Sequence, residues 1–147
     1  MTLACLATLA LTGCPPDEPI TPLVPTDWAS TLVEVRDCRR SGDHDLQHVR
    51  VLADAIARPA YEARDRAFPA LALLVKAEYA DDACTDLVGF TAMHREPGFA
   101  PATGDWRWQK LDAHREVIED GDLPRCASCH TLCGRAPEGH DGTCAVP

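Results

Sequence analysis

The residues with the clearest chemical potential are two cysteines and a histidine near the end of the chain. Cys126, Cys129 and His130 form the pattern C-x-x-C-H, which is the attachment signature of c-type haem. Two thiols at this spacing can each add across one vinyl group of a porphyrin, and the adjacent imidazole can then donate a nitrogen lone pair to the iron. We therefore predict one covalent haem c, attached at Cys126 and Cys129, with His130 as a ligand of the haem iron.

Three other chemistries use cysteines at this spacing. A structural zinc site needs four ligands, for which Cys133 and Cys144 could supply two more. A thioredoxin-like redox pair needs a βαβ pattern, and the sequence does not show one. The third alternative is a set of plain disulfides in a cysteine-rich tail. The histidine directly after the second cysteine favours haem over all three.

The start of the chain is typical of an exported protein. Residues 1–13 carry no charged side chain and include a short apolar run, as in a signal peptide. Leu11-Thr12-Gly13-Cys14 resembles a bacterial lipobox, so Cys14 is predicted to be lipidated; an ordinary signal peptide with an incidental cysteine is the alternative. Residues 14–25 are Pro-rich and predict an extended tether, which leaves 26–147 as the folded domain. We expect a lipid-anchored lipoprotein at the periplasmic face of a bacterial cell envelope.

Export places the remaining cysteines in an oxidising compartment, where disulfides persist. The chain has eight cysteines, of which Cys5 lies in the signal and Cys14 carries the lipid. Removing the two haem cysteines leaves an even number. Cys133 and Cys144 enclose a short loop with glycine and proline and are the natural local pair. Cys38 and Cys84 are then predicted to form the second disulfide.

Composition limits the partners. The 147 residues carry 14 Lys and Arg against 23 Asp and Glu, a net charge of −9. Because binding to a phosphate backbone requires cationic side chains, nucleic acid is not an expected partner. The chain has no apolar run long enough for a spanning helix, so only the lipid would contact a membrane. An acidic surface instead favours a basic redox partner.

The hydrophobic pattern predicts helices first and strands afterwards. Helices are expected at 27–40 and from Asp54 through Ala63, the latter shortened or kinked by Pro59. Strands are expected at 71–79, 85–94, 105–111 and 116–118, with a turn at 119–122. In the third strand, Trp106, Trp108 and Lys110 should share one face. The fold class is therefore α+β, an antiparallel β-sheet with flanking helices and a C-terminal segment that binds c-type haem.

Several short sequence pieces, in this order, resemble the cytochrome P-460 family, which includes the beta-type cytochromes c-prime. The resemblance covers about residues 27–130 and depends on the order of the pieces more than on any one of them. The pieces are Trp28, Ser41-Gly42-Asp43-His44, Val49-Arg50-Val51-Leu52, Phe68-Pro69, Val75-Lys76-Ala77-Glu78-Tyr79, Met93-His94-Arg95-Glu96-Pro97-Gly98-Phe99, Gly104-Asp105-Trp106 and Cys126–His130.

The resemblance implies a single covalent haem on a mainly antiparallel sheet, often in a homodimer, with an open or weakly filled site opposite the histidine. Members of this family bind nitric oxide or oxidise hydroxylamine, and some carry a lysine joined to the macrocycle. An activity as a hydroxylamine or nitric oxide oxidoreductase is therefore one expectation, and simple electron transfer is another. The alternative from a different class is a haem-free, disulfide-stapled envelope lipoprotein that acts as an interaction module.

Two further residues are candidates for the surroundings of the iron. Lys76 lies in an apolar strand, where its ammonium either reaches water or meets an acid such as a haem propionate; it is also a candidate for the cross-linked lysine. Met93 could place a thioether opposite His130, although core packing is the more usual role of methionine. The other histidines are expected at the surface or in hydrogen bonds; they are His44, His48, His94, His114 and His140.

Overall fold

The structure is a computed structural model that describes residues 19–42, 44–137 and 139–144. The predicted signal peptide 1–13, the lipidation residue Cys14 and the first part of the tether lie outside the described residues. In the described part of the chain, no helix is long and apolar enough to cross a membrane.

The chain forms an α+β fold built on one antiparallel sheet. Each strand pairs with the next strand in the sequence, so the six strands form a simple meander in chain order. Antiparallel neighbours need only short turns, which is why a chain of this size can form the sheet without crossover helices. The strands are β1 Val33–Arg40, β2 His48–Ala53, β3 Leu73–Tyr79, β4 Leu87–Arg95, β5 Trp106–Asp112 and β6 Val117–Gly121.

The helices are few and short. They are α1 Trp28–Thr31, α2 Arg58–Ala63 and α3 Pro124–Cys133, with 3-10 turns at His44–Leu46 and Pro101–Thr103. Pro59 lies in the first turn of α2, where its missing N–H has no helical partner to lose. The Asp54 carboxylate accepts a hydrogen bond from the Ala57 backbone N–H at 2.7 Å and so orders the turn that leads into this helix.

The predicted helix at 27–40 is wrong. The chain is helical only from Trp28 to Thr31, Leu32 is extended, and 33–40 form the edge strand β1. The apolar spacing of Trp28, Leu32 and Val35 matches a helix locally, but residues 33–40 pair with β2 along their length. This long-range pairing, which local periodicity does not reveal, decides the conformation.

The later elements agree better with the sequence pattern. The predicted second helix is present but begins at Arg58, as the shortening by Pro59 implies. The strands predicted at 71–79, 85–94 and 105–111 correspond to β3, β4 and β5, and the one at 116–118 continues as β6 to Gly121, through most of the predicted turn. The sequence pattern did not predict β2 as a strand or α3 as a helix.

The two faces of the sheet carry separate apolar clusters. On one face, Leu74, Met93 and Trp108 stand opposite one another on β3, β4 and β5 and pack with Tyr61 of α2. The other face buries a second cluster that includes Phe90 and Leu111. Because side chains alternate along a strand, the first face continues from its apolar cluster into a polar region formed by Lys76, Glu78, Thr91 and Lys110.

The described residues form two disulfides, one long-range and one local, and both have the predicted pairing. Cys38 of β1 bonds to Cys84 in the turn between β3 and β4. Cys133, the last residue of α3, bonds to Cys144. The remaining described cysteines, Cys126 and Cys129, are free, which leaves both thiols of the C-x-x-C-H pattern available.

Candidate functional site

Helix α3 places the three motif residues on one side of the helix. Cys126, Cys129 and His130 occupy positions i, i+3 and i+4, which lie on the same helical face. Cys126 is half-buried, Cys129 is exposed and His130 is buried, with 7% of its surface exposed. Burial raises the pKa of the Cys126 thiol, so this side chain is held in its protonated form. Gly134 caps the C-terminus of the helix, and its N–H donates to the His130 carbonyl oxygen at 2.9 Å.

This face of α3 borders a cleft of about 350 Å³ between the helix, the 3-10 turn at His44–Leu46 and the polar region of the sheet. Cys126, Cys129 and His130 are among the residues that line it. The cleft is therefore the place where a group attached to both thiols would lie. The 3-10 turn and the sheet contribute His44, Asp45, Lys76, Glu78, Thr91 and Lys110 to its lining.

The His130 imidazole is oriented by its backbone partner and by an aromatic neighbour. Its Nδ1 lies 2.5 Å from the Gly142 carbonyl oxygen, so Nδ1 carries the proton and Nε2 keeps its lone pair. The Trp108 ring packs edge-on against it with a centroid distance of 4.4 Å. Burial, and then the positive charge of Lys76, lower the pKa of His130 to about 3. The imidazole is therefore neutral at physiological pH, as a metal ligand must be.

The loop that presents Gly142 is fixed at several points. Gly142 has φ +86, and a Cβ at this position would lie 2.8 Å from the indole nitrogen of Trp106, so glycine satisfies both the backbone conformation and the close approach. The neighbouring Asp141 carboxylate pairs with Arg95 at 2.5 Å and accepts the Phe68 N–H at 2.7 Å. The disulfide from Cys133 closes the same loop. The position of the carbonyl that orients His130 is thus set by the whole loop.

The cleft is cationic in a chain that is acidic as a whole. Among its described lining residues, cationic side chains outnumber carboxylates. Two of these lining residues form an ion pair, in which the Lys110 ammonium lies 3.1 Å from the Asp45 carboxylate. An anionic group would therefore be attracted to this part of the surface. The cations are Arg36, Arg40, Lys76, Lys110 and Arg125, and the carboxylates are Asp45 and Glu78.

Three buried polar atoms at this site have no hydrogen-bond partner among the described residues: the Arg36 Nε, the Tyr61 hydroxyl and the Trp108 indole nitrogen. Arg36 and Trp108 line the cleft, and Tyr61 lines a smaller, mainly apolar cavity next to it. Buried donors are normally satisfied. Together with two free thiols, a neutral imidazole and a cationic rim, these atoms fit the attachment of a haem with its anionic propionates.

The two candidates proposed for the surroundings of the iron have different positions. Lys76 lines the cleft, and its ammonium lies 2.6 Å from the Nε2 of His44. Met93 is buried in the apolar cluster and borders only the smaller cavity, together with His130. As the alternation of the strand requires, His94 points to the other face from Met93, and its ring pairs with the Glu96 carboxylate at 3.0 Å.

His44 is the residue of the site that sequence reasoning missed. The sequence gave it no more weight than the other histidines, yet its ring centroid lies 6.4 Å from that of His130. His140, in contrast, hydrogen-bonds the Arg66 carbonyl outside the cleft, and His48 and His114 are not among the residues that line it. The signal that could have drawn attention to His44 is its place in a polar turn just before β2.

No protein-family model matches the chain, and no curated protein matches it with significant similarity. The described residues also contain no cluster of three or more His, Cys, Asp or Glu side chains placed to hold a bare metal ion. The interpretation of the site therefore depends on its own chemistry.

Proposed function

We propose that this chain is an exported, lipid-anchored c-type cytochrome with one covalent haem. Cys126 and Cys129 would hold the macrocycle through thioether bonds, and the His130 Nε2 would bind the iron. The observation that carries the proposal is the arrangement at α3: two free thiols and a buried, neutral imidazole share one helical face and border a cationic cleft. We also propose membership of the cytochrome P-460 family, on the sequence pieces that resemble it.

Each part of the cleft has a separate role in this proposal. When bound, haem supplies a one-electron ferric–ferrous couple. The Gly142 carbonyl fixes the tautomer of His130 and raises its basicity as a ligand. The cations of the rim neutralise the propionates, with Arg36 offering an unsatisfied buried donor. Trp108 packs against the imidazole and excludes water from it.

The proposal is tested by producing the full chain with the c-type cytochrome maturation machinery. We expect a pyridine haemochrome spectrum of the c type and an intact mass that includes one macrocycle. The variants C126S and C129S should each lose one thioether bond, and the double variant should lose the covalent haem. Ser128→Ala is the matched control, since this exposed residue lies between the two cysteines and should leave attachment unchanged.

A colourless protein of unmodified mass would instead favour the second candidate, a haem-free envelope lipoprotein stapled by disulfides. The two disulfides of the fold are compatible with that function as well. The unpaired thiols of Cys126 and Cys129 support the cytochrome, because an interaction module in an oxidising compartment has no need of two unpaired thiols.

The physiological reaction that we propose is electron transfer, or chemistry of nitric oxide or hydroxylamine, at the periplasmic face of the envelope. Lipidation at Cys14 would anchor the protein, and a basic redox protein would be its partner, with a homodimer as the assembly implied by the resemblance. Oxidation of hydroxylamine or nitric oxide in a steady-state assay would identify an oxidoreductase. Rapid reduction by a cationic cytochrome without such turnover would identify an electron carrier.

A further inference from the structure

We propose that His44 is the second axial ligand of the haem iron, opposite His130, so that the cytochrome is six-coordinate with two histidines. This inference rests on the proposed function and deepens it. A filled second axial position suits outer-sphere electron transfer, whereas an open position is needed to bind nitric oxide or hydroxylamine. In this respect the chain would depart from the open or weakly filled position that the resemblance to the cytochrome P-460 family implies. The inference therefore favours the electron carrier over the enzyme.

The separation of the two rings carries the argument. Their centroids are 6.4 Å apart, and the ring planes are inclined by 86°. A metal–imidazole bond is about 2.0 Å long, and the ring centre lies roughly 1 Å beyond the nitrogen, so two imidazoles on one metal have centroids about 6 Å apart. Both residues line the same cleft. The spacing thus matches that of two ligands on one metal.

The neighbours of His44 prepare it to bind through Nε2. Its Nδ1 faces the Glu78 carboxylate at 3.3 Å, and Glu78 is buried and also accepts the Thr91 hydroxyl. With the proton on Nδ1, this is the carboxylate–histidine arrangement that commonly supports metal-ligating histidines. Glu78 acts here as a positioning residue. The Gly142 carbonyl has the same role for His130 on the other side.

The remaining nitrogen of His44 already presents a lone pair to a cation. Its Nε2 lies 2.6 Å from the Lys76 ammonium, which donates because an ammonium has no acceptor atom. A lysine on a flexible stem can turn away and leave that lone pair to the iron.

The experiment uses the matured, full-length protein and reads the coordination of its iron. We expect a low-spin ferric absorption spectrum, a ferrous form that binds carbon monoxide poorly, and a near-infrared magnetic circular dichroism band typical of two imidazoles. The variant H44A should become mostly high-spin and bind carbon monoxide, and added imidazole should restore the low-spin spectrum. E78Q should show a partial shift, and H114A, an exposed histidine outside the cleft, should behave as wild type.

The outcomes separate this inference from the proposed function. A covalent haem that is high-spin in the wild-type protein, or low-spin to the same extent in H44A, overturns the role of His44 and leaves the cytochrome intact. A near-infrared band of the wild-type protein typical of one imidazole and one thioether would also overturn the role of His44 and would point to Met93. A band typical of one imidazole and one amine would overturn it and point to Lys76. The wild-type spin state and the wild-type ligand band do not depend on any variant folding. A protein without haem overturns both.

Discussion

The His130 imidazole is hydrogen-bonded through Nδ1 to the carbonyl oxygen of Gly142 at 2.5 Å, across 12 residues of sequence. The helix that carries the histidine and the loop that carries the carbonyl are joined by the disulfide between Cys133 and Cys144. An outer-shell hydrogen bond of this kind sets the orientation and basicity of a ligating imidazole. The loop after α3 is therefore part of the site, although it supplies no ligand.

The first prediction concerns Gly142. We expect Gly142→Ala to lower the free energy of unfolding by about 1–2 kcal/mol, because an alanine is disfavoured in the left-handed backbone conformation of Gly142. The added methyl group would also meet the Trp106 indole at 2.8 Å, so the carbonyl that orients His130 should move. Urea unfolding measures the first effect, and the absorption spectrum and reduction potential of the matured protein measure the second.

Gly98→Ala is the matched control for this change. Gly98 has φ +85, close to that of Gly142, but a Cβ there meets nothing within 4 Å. The free energy of unfolding of the Gly98→Ala variant should fall by a similar amount, because its alanine has the same unfavourable backbone conformation. Its haem spectrum should stay unchanged. Equal spectral changes in both variants would mean that the hydrogen bond to His130 does not set its position.

The second prediction is that the two disulfides contribute similarly to stability but differ in their effect on the haem site. Their sequence separations are 46 for Cys38–Cys84 and 11 for Cys133–Cys144, which correspond to about 4 and 3 kcal/mol of stabilisation from chain entropy. Replacing each pair by serines should therefore destabilise both variants by comparable amounts. Only the loss of Cys133–Cys144 should also change the haem spectrum, because only that bond holds the loop of Gly142. A spectral change from the loss of Cys38–Cys84 alone would contradict this assignment.

The third prediction tests the cationic cleft at Arg36. Its Nε is buried without a hydrogen-bond partner among the described residues, which costs about 1–3 kcal/mol. Arg36→Met should therefore leave the stability of the haem-free protein unchanged or raise it. In the matured protein it should lower the reduction potential, because a cation near the macrocycle stabilises the reduced state. A potentiometric titration measures this, with R66M as the control for an arginine outside the cleft.

The fourth prediction concerns pH and the turn between β3 and β4. Backbone and hydroxyl donors of Asp86 and Thr85 lower the pKa of Asp81 to about 2, with the three hydrogen bonds between 2.7 and 2.9 Å. Since the folded pKa lies below the unfolded one, the stabilisation is present above about pH 4 and is lost as pH falls toward 2. A carboxyl titration by NMR should show this midpoint.

Removing one hydrogen-bond donor of this turn tests whether these hydrogen bonds cause the low pKa of Asp81. Thr85→Ala should raise the pKa of Asp81 from about 2 toward its ordinary value of 3.8. Thr85→Ser, which keeps the hydroxyl, should retain the low value. If both variants titrate alike, the side-chain hydrogen bond of Thr85 contributes little and the backbone N–H groups alone set the pKa.

The elements that the sequence predicted correctly are those with a strong local signal. The alternating pattern of β5 and the apolar run of β3 identify their strands, and the proline in α2 shortens that helix. The edge strand β1 could not be recognised in this way, because the spacing of Trp28, Leu32 and Val35 fits a helix and only the pairing with β2 makes it a strand. Both disulfides, in contrast, were predicted correctly from cysteine parity together with the assignment of Cys126 and Cys129 to haem and the short loop between Cys133 and Cys144.

The sequence by itself determined the chemistry that is covalent and local: two thiols and an imidazole at a fixed spacing, and an even set of cysteines beside them. The tertiary structure decided what surrounds them. It brought the Gly142 carbonyl within hydrogen-bond distance of His130 and the His44 ring close to it, and it gathered cations at the cleft of an acidic chain. These contacts join segments far apart in sequence, and their geometry depends on the packing of the whole sheet, which no short sequence pattern encodes.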